Sequence, residues 1–116
     1  MSQINSGYKA FVAGAAVTKY QRVKLVSGAV EPAGDEEYAI GFAEDNQVTG
    51  EHVTVKLINV AGTFKAIASE AVTAGDDLYG AAGGKVETTG TTVRFVALEA
   101  ASADGSIIEV LPKSLA

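Results

Sequence analysis

The chain contains no cysteine and no tryptophan, a single histidine, and no long apolar run. Without thiols it has neither disulfides nor thiolate metal sites. Its fold therefore rests on packing and hydrogen bonds alone, as suits a protein made in the cytoplasm. The lone histidine, His52, has no Cys or second His with which to form a nucleophile dyad or a zinc site. No stretch approaches the roughly 18 apolar residues needed to cross a bilayer. The start Met1-Ser2-Gln3-Ile4-Asn5 has neither the basic patch nor the apolar segment of an export signal. The expectation is a soluble protein with no membrane partner. Cations are scarce as well: 9 Lys and Arg stand against 14 Asp and Glu, a formal charge of -5. Sequence-independent binding to nucleic acid requires clustered Lys and Arg to displace counterions, so no nucleic-acid partner is expected.

What is present is compact and turn-rich. The 116 residues include 13 glycines and much alanine, enough chain for one domain with a genuine core. Charge is unevenly placed: the first 30 residues hold Lys9, Lys19, Arg22 and Lys24 with no acid, whereas residues 31–51 hold seven acids and no base. Such polarity orients a partner or simply solvates a surface.

Period-two alternation dominates. Val53, Val55 and Leu57 fall on one face of a strand over residues 52–59, and Val93, Phe95 and Ala97 alternate with Arg94, Val96 and Leu98. This second strand is apolar on much of both faces, which predicts a central position in its sheet. Further strands are expected over residues 8–12, 22–26, 38–43, 63–67, 77–79, 85–88 and 107–111. Glycine turns such as Ser27-Gly28, Gly83-Gly84 and Asp104-Gly105 separate them. Only residues 69–73 suggest a helical turn, with Ser69 as its cap.

The chain also repeats itself. Residues 10–44 reappear loosely as 65–99: Ala16-Val17-Thr18 aligns with Ala71-Val72-Thr73, Val30-Glu31 with Val86-Glu87, and Ile40 to Glu44 with Phe95 to Glu99. Each copy reads as a unit that cannot bury its own apolar face, so the copies are expected to close on each other around a shared core through a pseudo-twofold operation. The expected fold is all-β: a small β-barrel or sandwich built from two related halves, with at most one short helical turn. Residues 1–7 read as a flexible N-terminal arm and residues 8–116 as a single β domain.

No motif for chemistry survives inspection. Gly80-Ala81-Ala82-Gly83-Gly84-Lys85-Val86 superficially resembles a phosphate loop, but Tyr79 stands where the first glycine belongs and Val86 replaces the magnesium-binding hydroxyl. A hairpin turn is the better reading. Asp35-Glu36-Glu37 and Asp76-Asp77 lack the alternating spacing that encloses a hard cation. Glu44 and Glu99, equivalent acids in the alignment, mark the places where apolar strands re-emerge into water. No enzyme, metal site or cofactor is expected.

Val53-Thr54-Val55-Lys56-Leu57, Gly62-Thr63-Phe64, Ala71-Val72-Thr73-Ala74-Gly75-Asp76-Asp77-Leu78-Tyr79, Gly84-Lys85-Val86 and Val96-Ala97-Leu98-Glu99-Ala100 follow in an order that resembles the small head-decoration, or capsid cement, proteins of tailed bacteriophages. The resemblance covers about residues 38–112. It implies a non-enzymatic homotrimer on the outer surface of the virion, bound to the major capsid protein and reinforcing the shell. The arm fits that reading as a segment that adds a strand to the capsid, with Ile4 as apolar anchor and Tyr8 and Lys9 nearby as capsid-binding residues. Two other classes remain open: another virion β module such as a tail-tube or fibre-base protein, and a small soluble ligand-binding β-barrel.

Overall fold

The computed structural model describes residues 7–58 and 62–113. Ten strands form two sets of five. The first set is β1 (Tyr8–Ala13), β2 (Arg22–Val26), β3 (Ala29–Pro32), β4 (Gly41–Ala43) and β5 (His52–Leu57). The second is β6 (Phe64–Ile67), β7 (Asp77–Ala81), β8 (Lys85–Glu87), β9 (Phe95–Ala97) and β10 (Ile107–Pro112). The first set closes into a barrel in the order β1-β3-β2-β4-β5, with β5 returning to β1. Its one parallel pair is β1 with β3, at Val12↔Ala29 and Ala13↔Val30. The second set is a sheet in the order β6-β10-β9-β7-β8, whose ends meet at the parallel bridge Ala68↔Val86. That bridge matches Ala13↔Val30, so both halves share one topology.

Backbone hydrogen bonds fix the correspondence residue by residue. Gly14 donates to the Val30 carbonyl as Ser69 does to Val86, and Gly50 to Ala13 as Gly105 does to Ala68. The offset is 55 through the first strands and becomes 56 after the first hairpin. A two-residue turn, Ser27-Gly28 with φ of 50° and 83°, joins β2 to β3. The left-handed pair suits the right-handed twist of a tight hairpin. Between β7 and β8 the same position holds the three-residue 3-10 turn Ala82–Gly84. The next loop is two residues shorter in the second half, so the Ile40 amide bonding to Val23 corresponds to the Arg94 amide bonding to Leu78. Phe95 thus occupies the place of Gly41, one residue from the alignment expected with Ile40. Gly41 has no room for a ring, because a Cβ there would collide with the Lys56 carbonyl and the Val55 side chain.

Three further expectations change. Strand β3 is absent from the sequence reading, because Glu31 and Pro32 interrupt any apolar alternation; it forms because the hairpin pairs it with β2. Residues 69–73 make no helical turn: Val72 bridges Ala101, and the Ser69 hydroxyl donates to the Val86 carbonyl. The halves also do not share one core. Ala13, Val17, Val23, Val30, Ala43, Val53 and Val55 fill the first barrel. Phe64, Leu78, Val86, Phe95, Ile108 and Val110 fill the second, joined there by Phe42 from the first. Five strands close the first half around its own side chains; in the second, the single bridge Ala68↔Val86 brings the outer strands of the sheet together, making a second and less fully paired barrel.

Candidate interaction surface

Arg22, at the start of β2, is 1% exposed and forms the joint between the halves. Its guanidinium donates to the carbonyls of Lys85 at 2.8 Å and Ala81 at 2.7 Å in the second half. It also donates to Gly34 at 2.9 Å and Glu37 at 3.1 Å in the first. A buried cation is tolerated only when its donors are satisfied; here main-chain oxygens satisfy it without a bonded carboxylate. Burial, aided by repulsion from Arg94, lowers its pKa to about 10, against the pull of Glu37, Asp35 and Glu36. It remains charged at neutral pH.

Neighbouring contacts lock the same joint. Gln21 Nε2 donates to the Gly83 carbonyl at 2.9 Å. The Gly84 amide donates to Ala33 at 2.8 Å and the Glu36 amide to Gly80 at 2.9 Å. The Glu36 carboxylate accepts from the amides of Thr91 and Thr92 at 3.0 and 3.2 Å. The Phe42 ring lies 5.2 Å from that of Phe64 and 5.4 Å from that of Phe95. Lys56 Nζ donates to the Thr63 carbonyl at 2.7 Å and sits 4.6 Å from the centre of the Phe64 ring. The two barrels are thereby one stiff body, and both interiors are filled by side chains.

The contact is not pseudo-twofold. Arg22 corresponds to Asp77, which is exposed and bonded to Lys113 at 3.0 Å. Gly80 and Gly84 correspond to Leu25 and Gly28, at an exposed hairpin where a Cβ on Gly28 would meet nothing within 4 Å. Each half therefore contributes a different part of its surface to the joint.

The acidic segments are engaged in structural bonds. Glu37 accepts from Lys24 Nζ at 2.9 Å and from the Gly34 amide at 2.6 Å, which hold its carboxyl below the usual range. Glu70 is lowered likewise by the Thr88 amide and hydroxyl. Glu87 is raised, first by desolvation and then by a hydrogen bond with Asp35 and repulsion from its acidic neighbours. Asp76 caps the Thr73 amide at 2.9 Å. Among the described residues no group of three His, Cys, Asp or Glu is arranged to hold a metal ion. The true equivalents among the strand-end acids are Asp45 and Glu99, not Glu44 and Glu99: they accept from the amides of Thr54 and Glu109. The Gly80 to Val86 stretch is the β7–β8 hairpin.

Of the residues expected at a contact surface, Ile4 lies outside the described residues. Tyr8 and Lys9 are successive on β1 and so face opposite ways. Tyr8 is 41% exposed, while Lys9 is half-buried with its ammonium 5.8 Å from the centre of the Phe11 ring. The structure does not bring them to one face. What the sequence reading missed is an apolar outer face on the second half. Leu98 and Leu111, 43% and 40% exposed, lie there beside the half-buried Val96. Their counterparts in the first half are Glu44, Lys56 and Phe42. The signal was available: Leu98 and Leu111 are outward positions of strands already recognised.

Two five-stranded barrels in tandem, joined through Arg22 and with no reactive constellation among the described residues, define a structural module. The phage cement protein family matches residues 6–112, and the chain belongs to that family. It is a structural protein of the phage virion. No curated protein matches the sequence. Among solved structures, the head fiber gp8.5 N base of bacteriophage phi29 is similar in fold, with a TM-score of 0.81 at 19% identity over 91% of this chain and 92% of that one.

Proposed function

We propose that the protein binds the outer surface of the mature phage head, contacts the major capsid protein, and reinforces the shell without catalysing any reaction. Membership of the phage cement family over residues 6–112 carries this reading. The geometry supports it: a body stiffened by the Arg22 joint transmits load between capsid subunits without deforming. The fold it shares with the base of a phage head fiber is likewise compatible with attachment to a head. A ligand that binds the assembled shell but not its separated subunits stabilises it by RT ln(1 + [L]/Kd) per site. An oligomer touching several subunits gains further because its second contact is intramolecular. The working form is a homotrimer, made in the host cytoplasm and placed on completed heads. Residues 1–7 act as the arm, Ile4 anchoring it and Tyr8 and Lys9 flanking its root on β1.

The test is addition of purified protein to undecorated mature heads. The disruption temperature should rise and saturate at a fixed copy number. Full occupancy with unchanged disruption temperature rejects the cement role.

A further inference from the structure

The joint between the two barrels uses one surface from each, and every chain retains the unused counterpart of both. Barrel one contributes Arg22, Phe42 and Lys56; the corresponding residues of barrel two, Asp77, Val96 and Leu111, face outward. Barrel two contributes Phe64, Gly80, Ala81 and Lys85; their counterparts in barrel one are Lys9, Leu25, Val26 and Ala29. A contact between two unlike patches is heterologous, and heterologous contacts propagate head to tail until they close a ring. We propose that the free face of barrel two docks on the free β2–β3 hairpin and β1 end of barrel one in a second copy of this chain.

Three observations favour a second copy as the occupant. The proposed contact uses the strand positions equivalent to those already joined inside the chain. Both free surfaces are more apolar than solvated strands require: Leu111 is 40% and Leu98 43% exposed on one, Leu25 51% and Val26 38% on the other. The polarity of the counterparts points the same way. Lys56, already used within the chain, is replaced by Leu111 on the face left open, and Glu44 by Leu98. Asp77 in place of Arg22 reverses the charge at the centre, so the contact between chains reuses the surface without copying its hydrogen bonds. This deepens the homotrimer part of the proposed function, naming the surfaces that join its copies; shell binding is a separate claim.

The experiment uses Leu111→Glu and Leu25→Glu, one on each free surface, with Val48→Glu as a control at an exposed site in the β4–β5 loop, outside the β2–β3 hairpin and the β9–β10 face. In sedimentation velocity the wild type and the control should assemble, and each single variant should be monomeric with an unchanged melting curve. Mixed one to one, the two variants retain one intact contact between them and should form a heterodimer that grows no further. A joint using like patches could not produce that result. Should either variant unfold, cysteines at Asp77 and Val26 of the otherwise cysteine-free chain settle the matter, since a short bismaleimide should link separate chains in solution and on heads. Assembly indifferent to both glutamates, a mixture that stays monomeric, or the absence of interchain crosslinks overturns the inference. Cosedimentation with heads is measured separately, so intact assembly without head binding rejects only the cement reading.

Discussion

The guanidinium carbon of Arg22 lies 2.9 Å from where a Cβ on Gly80 would stand, so the cation of one barrel is seated on the missing side chain of the other. The two positions are interdependent. Gly80→Ala should destabilise the protein by about 1 to 3 kcal/mol, the usual cost of overpacking a filled interior. Arg22→Ala should cost more, roughly 3 to 5 kcal/mol, because several buried carbonyls lose their donor at about 1 kcal/mol or more each and a cavity remains. Urea denaturation measures both. If the double variant is no worse than Arg22→Ala, the alanine methyl acts through the guanidinium; additive losses would reject the coupling.

Phe95 fills the second barrel, and Phe42 reaches it from the first. Phe95→Ala should lower stability by about 3 to 5 kcal/mol in a single transition. Phe42→Ala should instead separate the melting of the two barrels, because each has its own core and the ring connects them. Calorimetry distinguishes the outcomes: one sharp peak for Phe42→Ala means the hydrogen bonds around Arg22 suffice to couple the halves.

Carboxylates of opposite shift predict opposite pH profiles. Glu37 is held low by Lys24 and the Gly34 amide, so its contribution is present above the ordinary carboxylate pKa of about 4.3 and is lost as pH falls through its lower folded value. Glu37→Gln should therefore melt earlier than wild type at neutral pH and match it in acid. Glu87 is raised, so the folded state favours its protonated form. The favourable contribution is complete below the unfolded pKa and lost as pH rises through the folded one. Glu87→Gln should melt later than wild type at neutral pH, with the gain vanishing in acid. Melting curves of both variants from pH 3 to 8 check the two signs together.

The arm is tested by deleting residues 1–6 and keeping Gly7, whose carbonyl accepts the Leu57 amide at 2.7 Å and so ties the root of the arm to the first barrel. The isolated protein should melt as before, while affinity for heads falls at least tenfold, about 1.4 kcal/mol. Unchanged affinity would assign the contact to the folded body.

The duplication and all-β class were legible because period-two alternation survives in both halves, and because Val17 and Val72 sit in matching buried bridges. The register from Ile40 onward was not legible. Backbone bonds set it, and a loop two residues shorter in the second half leaves no mark in composition. Strand β3 escaped notice because Pro32 and Glu31 look like a turn until β2 is placed beside them. The joint was equally hidden: Arg22 reads as one more surface cation, and only its burial against a glycine-bearing hairpin reveals otherwise. Separate barrels were unforeseen because the parallel β1–β3 pair, which allows each half to close, links strands far apart in sequence.

Because Arg22 grips carbonyl oxygens rather than side chains, the receiving hairpin is recognised by its path and not by its letters. Ala81 and Lys85 each offer an oxygen that any residue would offer equally well. Substitutions there leave the grip intact so long as Gly80 and Gly84 keep space open. The seam between the barrels can thus outlast extensive sequence drift, leaving the outward side chains of the same hairpin free to adapt to new surroundings.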